Sequence, residues 1–255
     1  MIKFGDKYSR QARLYPALIV LTPTLSLVVA LFPDLLTNEI GKLLLTMLFS
    51  IGVLYFLASL SRTAGKRTEQ RLLGMWGGWP TTIWLRHSDT NLAPQTKIRY
   101  HDYLGKNVQG LTLPTAKQEN EDPASADQVY SSAIAWLKEQ RRGDRYSLVL
   151  EEKIQYGFRR NMRGMKSLAI ILSVISIIVI CAVIFYKYDV GTNAIENVNS
   201  YTDLIRALAN LITVPVGAAL GLNIIAMFFW LFYVRDIWVR EAADQYARAL
   251  LSTCE

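Results

Sequence analysis

The chain has 255 residues, 51% of them hydrophobic and 19% charged, with a formal net charge of +7. Such an apolar, sparsely charged composition departs from that of a soluble domain of this length and places the chain in the membrane class. Its two cysteines, Cys181 inside an apolar run and Cys254 next to last, have no metal-ligand spacing and cannot form a disulfide framework.

Residues 1–15 carry Lys3, Lys7, Arg10 and Arg13 against Asp6. They read as a basic cytoplasmic N-terminus before a first span over 16–36. That span contains Pro23 and ends at "FPD", which predicts a kink in its lower part. No small-residue cleavage pattern lies near Ala30, so it reads as a retained anchor. A second span is predicted over 40–60, with Lys42 snorkelling at its start. Residues 16–60 then form one transmembrane hairpin with an acidic connector containing Asp34 and Glu39.

Residues 61–166 carry 18 Lys or Arg and 11 Asp or Glu. They read as a mostly helical cytoplasmic domain inserted between the second and third spans. At its edges stand Arg62, Lys66, Arg67 and Arg71 on one side and Arg159, Arg160, Arg163 and Lys166 on the other. These side chains suit anchoring against anionic headgroups or the walls of a vestibule. Within the domain "TTIWLRH" fits a short strand or a helical turn, and "NLAPQTKIRYHDYLG" a helix entered at Asn91 or Pro94. "GLTLPTAKQENEDP" reads as a polar loop. "DPASADQVYSSAIAWLKEQRR" predicts a helix capped by Asp122, with Pro123 first and Val129, Ala133, Trp136 and Leu137 on one face. "SLVLEEKIQYGFRRNMRG" predicts a further helix, weakened at Gly157, leading into a third span over 167–186.

The connector 187–212 is acidic on balance, and the fourth span, 213–233, completes a second hairpin (167–233) before a cytoplasmic C-terminal helix over 234–255. The alternation of basic and acidic stretches puts both termini and the inserted domain on the cytoplasmic side of a bacterial inner membrane. The fold class is therefore an all-α, four-span membrane protein. No span has a charge at mid-depth, which argues against a proton relay. The fourth has Pro215, Gly217, Gly221 and Asn223. These suit helix packing within one chain, or a pore seam with Asn223 at an oligomer axis.

His87 and His101 stand in separate elements with no cysteine or HxxxH partner, and Ser88 beside His87 makes no triad. The glycines at 74, 77 and 78 do not form a phosphate loop. Neither an enzyme nor a bound cofactor or metal is expected. Trp76, Trp79, Trp84, Arg86, His87, Lys97, Arg99, Tyr100, His101 and Tyr103 instead interleave aromatic faces with cations, as a nucleotide or single-stranded oligonucleotide ligand requires. Arg86, His87, Lys97, Arg99, Tyr100 and His101, with Arg159 and Arg160, are the candidate ligand-binding residues.

"PTTIWLRHSD", "TKIRYH", "LPT", "DPASADQVY" and "EEKIQYGFRRN" together resemble a family of bacterial four-span membrane proteins and, through it, the membrane effector of the Hailong anti-phage system. The resemblance implies a homotetrameric ion channel that a single-stranded oligodeoxyadenylate holds shut until a phage nuclease destroys it. It also implies a nucleotidyltransferase as genetic partner. It carries no individual ligand-binding residue. A non-conducting membrane scaffold that recruits a cytoplasmic partner fits the same charge pattern.

Overall fold

The computed structural model describes residues 6–48, 50–192 and 212–255, and within them every regular element is a helix. Residues 1–5, 49 and 193–211, the last being most of the acidic 187–212 connector, lie outside the described residues. A π-helical turn, Ser9–Leu14, leads into α1 (Tyr15–Leu31), which continues through Pro23 and ends at Phe32 and Pro33. A 3₁₀ turn precedes α2 (Glu39–Leu48) and α3 (Ile51–Trp76).

The segment 40–60 is not one helix. Ser50 has an extended backbone (φ −62°, ψ 148°), and its hydroxyl accepts the Val53 N–H at 3.4 Å, so it caps a new helix there. Among the described residues three helices, not four, are long and apolar enough to cross a membrane: Ser9–Leu31, Ser147–Tyr186 and Val214–Tyr233.

α3 ends at Gly77, whose left-handed φ of 74° is open to glycine at little cost. Short α4 (Pro80–Ile83) follows, so "TTIWLRH" is helical and then turned, with no strand. α5 (Pro94–Asn107) begins at its proline. The stretch read as a loop contains α6 (Ala116–Glu121). There Thr115 and Gln118 form a reciprocal capping box, for which T-x-x-Q is the sequence signal. α7 (Pro123–Gln140) has the expected Asp122 cap, but Tyr130 and Ile134 join Ala133 and Leu137 on its buried face, and Val129 and Trp136 stand at the margin.

α8 (Ser147–Thr192) is one helix of 46 residues, about 70 Å long. It joins the polar domain to the apolar run without a break at 166/167. α9 (Val214–Phe228) and a π-helical turn, Phe229–Tyr233, lead to α10 (Asp236–Leu251).

The protein has a head and a stalk. In the head, α10 supplies Val239, Ala242, Tyr246, Leu250 and Leu251 to the core formed by Leu72, Trp84, Leu85, Leu104, Tyr130 and Leu137. The insertion is too small to bury a large core alone, and the C-terminal helix completes it. In the stalk, α1, α8 and α9 pack in two layers. Ala17, Val20, Met162, Ala169 and Trp230 lie near the head; Leu27, Ile180, Val216 and Ala219 lie at the far end.

Candidate functional site

The loop after α4 is held by three buried or half-buried charged groups. Arg86 donates to both carboxylate oxygens of Asp127 at 2.6 and 2.7 Å and to the Gly77 carbonyl at 2.9 Å. Lys97, on the first turns of α5, is turned inward, and its ammonium donates to the carbonyls of Arg86 and Asp89, each at 2.6 Å. Burial lowers its pKa against the pull of Asp89 and Glu119.

Glu119 of α6 is the third anchor, at 4% exposure. It accepts the His87 N–H at 2.8 Å, the Ser88 N–H at 3.1 Å, the Ser88 hydroxyl at 3.0 Å and the Tyr130 hydroxyl at 2.8 Å. Burial pushes this carboxyl up, but the donors more than offset it and hold it below the usual range. The same carboxylate, with burial, drives the Tyr130 phenol up. Sequence reading missed Glu119 because its partners lie 11 to 32 residues away.

The two histidines meet within this frame, with ring centroids 5.0 Å apart and nearly perpendicular. His87 donates from Nε2 to the Pro114 carbonyl at 2.9 Å, and His101 from Nε2 to the Leu85 carbonyl at 2.8 Å. A carbonyl only accepts, so each Nε2 carries a proton. Burial lowers the His101 pKa, and His87 and Lys97 add to this against the Leu85 carbonyl. The pair lines two clefts, one of 390 Å³ bounded by Asp89, Leu92, Pro94 and Ile98, the other bounded by Asp102, Lys106 and Thr115. Among the described residues, no three His, Cys, Asp or Glu side chains converge as a metal would need.

The structure thus brings Arg86, His87, Lys97 and His101 together, but Arg86 and Lys97 spend their donors inside the fold. Tyr100 is buried in the head core, and Arg99 reaches outward to Glu255 at 2.5 Å. Trp76 and Trp84 lie beneath Arg240 and Arg248 of α10, at 5.1 and 5.7 Å. Arg159 and Arg160 belong elsewhere, to the junction of head and stalk. Arg159 donates to the Trp238 carbonyl at 3.1 Å, and Arg160 pairs with Glu69 at 2.6 Å. At the same junction Asp236, at the start of α10, accepts from Arg71 of α3 and Arg163 of α8, each at 2.7 Å. The direct hydrogen bond from Arg71 and the Coulombic pull of both cations outweigh burial and hold the Asp236 carboxyl below its ordinary range.

α3 and α8 approach closely where they cross. A Cβ on Gly164 would stand 2.5 Å from the Ala64 carbonyl carbon, and one on Gly65 would stand 1.7 Å from Asn161 Oδ1. On α9, Gly221 faces open space, Pro215 is exposed, and a Cβ on Gly217 would lie 3.2 Å from Ile212. Asn223 is fully buried against α1 of its own chain. It donates to the carbonyls of Pro23 and Ala219 at 3.3 and 2.8 Å and to the Ser26 hydroxyl at 3.2 Å.

Comparison of the chain with protein-family models, curated proteins and solved structures gives no match.

Proposed function

We propose that this chain is a non-enzymatic effector of the bacterial inner membrane. In this reading copies of it, four by the resemblance, form an ion channel. A nucleotide-derived anion such as a single-stranded oligodeoxyadenylate, made by a nucleotidyltransferase partner, binds the head and holds the channel shut. Loss of that ligand releases a current that depolarises the membrane. The observation that carries the reading is α8, a single helix whose first turns, with Val149 and Tyr156, pack in the head and whose later part is the most apolar span. A ligand that prefers one arrangement of the head biases the stalk by its differential affinity, with no flexible joint between them.

The topology supports four crossings. Lys7 pairs with Glu151, Arg71 with Asp236, and Arg163 with Asp236, so four chain segments meet at the head end. The chain leaves this end along α1 and returns along α3, then leaves along α8 and returns along α9. On this reading the second crossing consists of α2 and the first turns of α3, two apolar pieces of about 15 Å each, which together approach the thickness of the hydrocarbon. Outward-facing Ile171, Ile175, Ile178, Phe185, Ile225 and Phe232 suit a lipid surround.

The test is the inner-membrane potential of cells expressing the chain alone and with an oligodeoxyadenylate-making nucleotidyltransferase. Depolarisation that the partner suppresses is the expected result. An unchanged potential, with insertion confirmed, sinks the channel and leaves the non-conducting scaffold. One observation favours that second reading: Asn223 is turned into its own chain, where it packs α9 against α1.

A further inference from the structure

The head holds a second concentration of positive charge, separate from the histidine loop. The end of α7, the turn at Gly143, the first turns of α8 and the face of α10 enclose a pocket of 130 Å³, the volume of about four waters. Lys138, Arg141, Arg142 and Lys153 line it, with Tyr146 and Tyr246. Among the described residues, the ion pairs made by these four cations come down to one, Arg142 with Glu139 at the exposed rim.

Arg141 is fixed by neutral partners. It donates to the Thr253 hydroxyl at 3.0 Å, to the Thr253 carbonyl at 3.1 Å and to the Tyr103 hydroxyl, and its guanidinium lies 5.1 Å from the Tyr146 ring. Lys138 sits over Trp79 at 5.1 Å and Tyr246 at 6.0 Å. Burial and then the nearby Lys153 lower its pKa against the pull of Glu69. Like charges gathered in a recess with aromatic walls, and with more cations than paired carboxylates among the described residues, are stabilised when an anion enters.

We propose that this pocket receives the phosphoryl group of a soluble phosphorylated ligand, with Lys138 and Lys153 meeting its charge and Arg141 held ready beside Tyr146. The proposal rests on the reading of the head as the sensing part of the protein, and it moves the ligand's charged group away from His87 and Lys97. The pocket's height selects a soluble source over a lipid headgroup. Lys153 lies 14 residues before Ser167, where the apolar run of α8 begins, or about 21 Å along the helix. That exceeds the reach of headgroup charge at physiological ionic strength, about 8 Å.

The experiment is titration calorimetry of the full chain in neutral-lipid nanodiscs with inorganic pyrophosphate as probe. Lys138→Met and Lys153→Gln should each weaken binding by about tenfold, the worth of one charge-assisted hydrogen bond. Lys153→Arg and the exposed α6 control Lys117→Gln should retain it. Absence of wild-type binding at millimolar probe overturns the proposal. So does a loss with Lys117→Gln equal to that with Lys153→Gln, which would make the effect one of diffuse charge. Nanodiscs containing phosphatidylglycerol should leave the affinity unchanged; competition by that lipid would assign the pocket to headgroups and overturn the soluble ligand. Pyrophosphate binding without any depolarisation in cells would leave the pocket standing and remove the channel. Depolarisation without binding would do the reverse.

Discussion

Arg160 and Glu69 meet at 2.6 Å where α8 crosses α3, with side chains only 9% and 15% exposed. The pair does not stand alone. The Tyr156 hydroxyl donates to the same Glu69 oxygen at 2.9 Å. Arg160 also donates to Asn161 Oδ1, whose Nδ2 in turn donates to the Ala12 carbonyl at 2.5 Å. This network ties the entry of α1, the middle of α3 and the head–stalk junction of α8 into one unit.

Glu69→Ala should destabilise the protein by about 3–5 kcal/mol, because it leaves the Arg160 charge buried and uncompensated. Glu69→Leu combined with Arg160→Met should recover much of that loss. Denaturant unfolding in detergent measures both. A single variant within about 0.5 kcal/mol of wild type would show that the crossing does not depend on the pair.

Gly164 of α8 and Gly65 of α3 should be intolerant, and Gly221 of α9 tolerant. Gly164→Ala forces a methyl against the Ala64 backbone and should cost about 1–3 kcal/mol through displaced helices. Gly221→Ala meets open space and should stay within about 0.5 kcal/mol of wild type. Equal effects of the two on the melting temperature would contradict the assignment of the seam.

That contrast shows how far the sequence could be read. Local signals were legible: the Asp122–Pro123 start of α7, the Pro94 start of α5 and the apolar runs of α1, α8 and α9 follow from caps and composition. The G-x-x-x-G on α9 drew attention as a packing motif, yet the backbone contact is made by Gly65 and Gly164, almost a hundred positions apart, which no local spacing reveals. The cluster of cations at 86–101 was visible, but not that Asp127 and four backbone carbonyls absorb Arg86 and Lys97. The break at Ser50 was hidden because an apolar count averages over a single extended residue.

Acid should loosen the head in two stages. His101 has a lowered folded pKa, so the unfolded chain binds its proton first, and stability falls as pH drops through the unfolded value of about 6.5. Glu119 is also depressed. Its contribution is complete above the unfolded carboxylate value of about 4.3 and is lost as pH falls through the lower folded one. Glu119→Gln should remove the second stage while lowering stability at neutral pH, because the His87 and Ser88 N–H groups lose a charged acceptor. Unfolding followed from pH 7 to 3 would show it; an unchanged acid limb in the variant would mean that Glu119 is not the group responsible.

Asn223 decides between packing and pore. Its amide nitrogen is satisfied by α1 and by its own helix, whereas its buried Oδ1 has no hydrogen-bond partner. Asn223→Leu therefore loses donors but also removes an unsatisfied acceptor, and polar contacts of this kind inside membranes are worth about 0.6 kcal/mol on average. The expected result is a change of about 1 kcal/mol or less in stability, with any wild-type depolarisation retained. A current abolished by Asn223→Leu, in a protein of unchanged stability, would require the side chain to turn from Pro23 and Ser26 towards another copy of the chain. It would restore Asn223 to an axis between subunits.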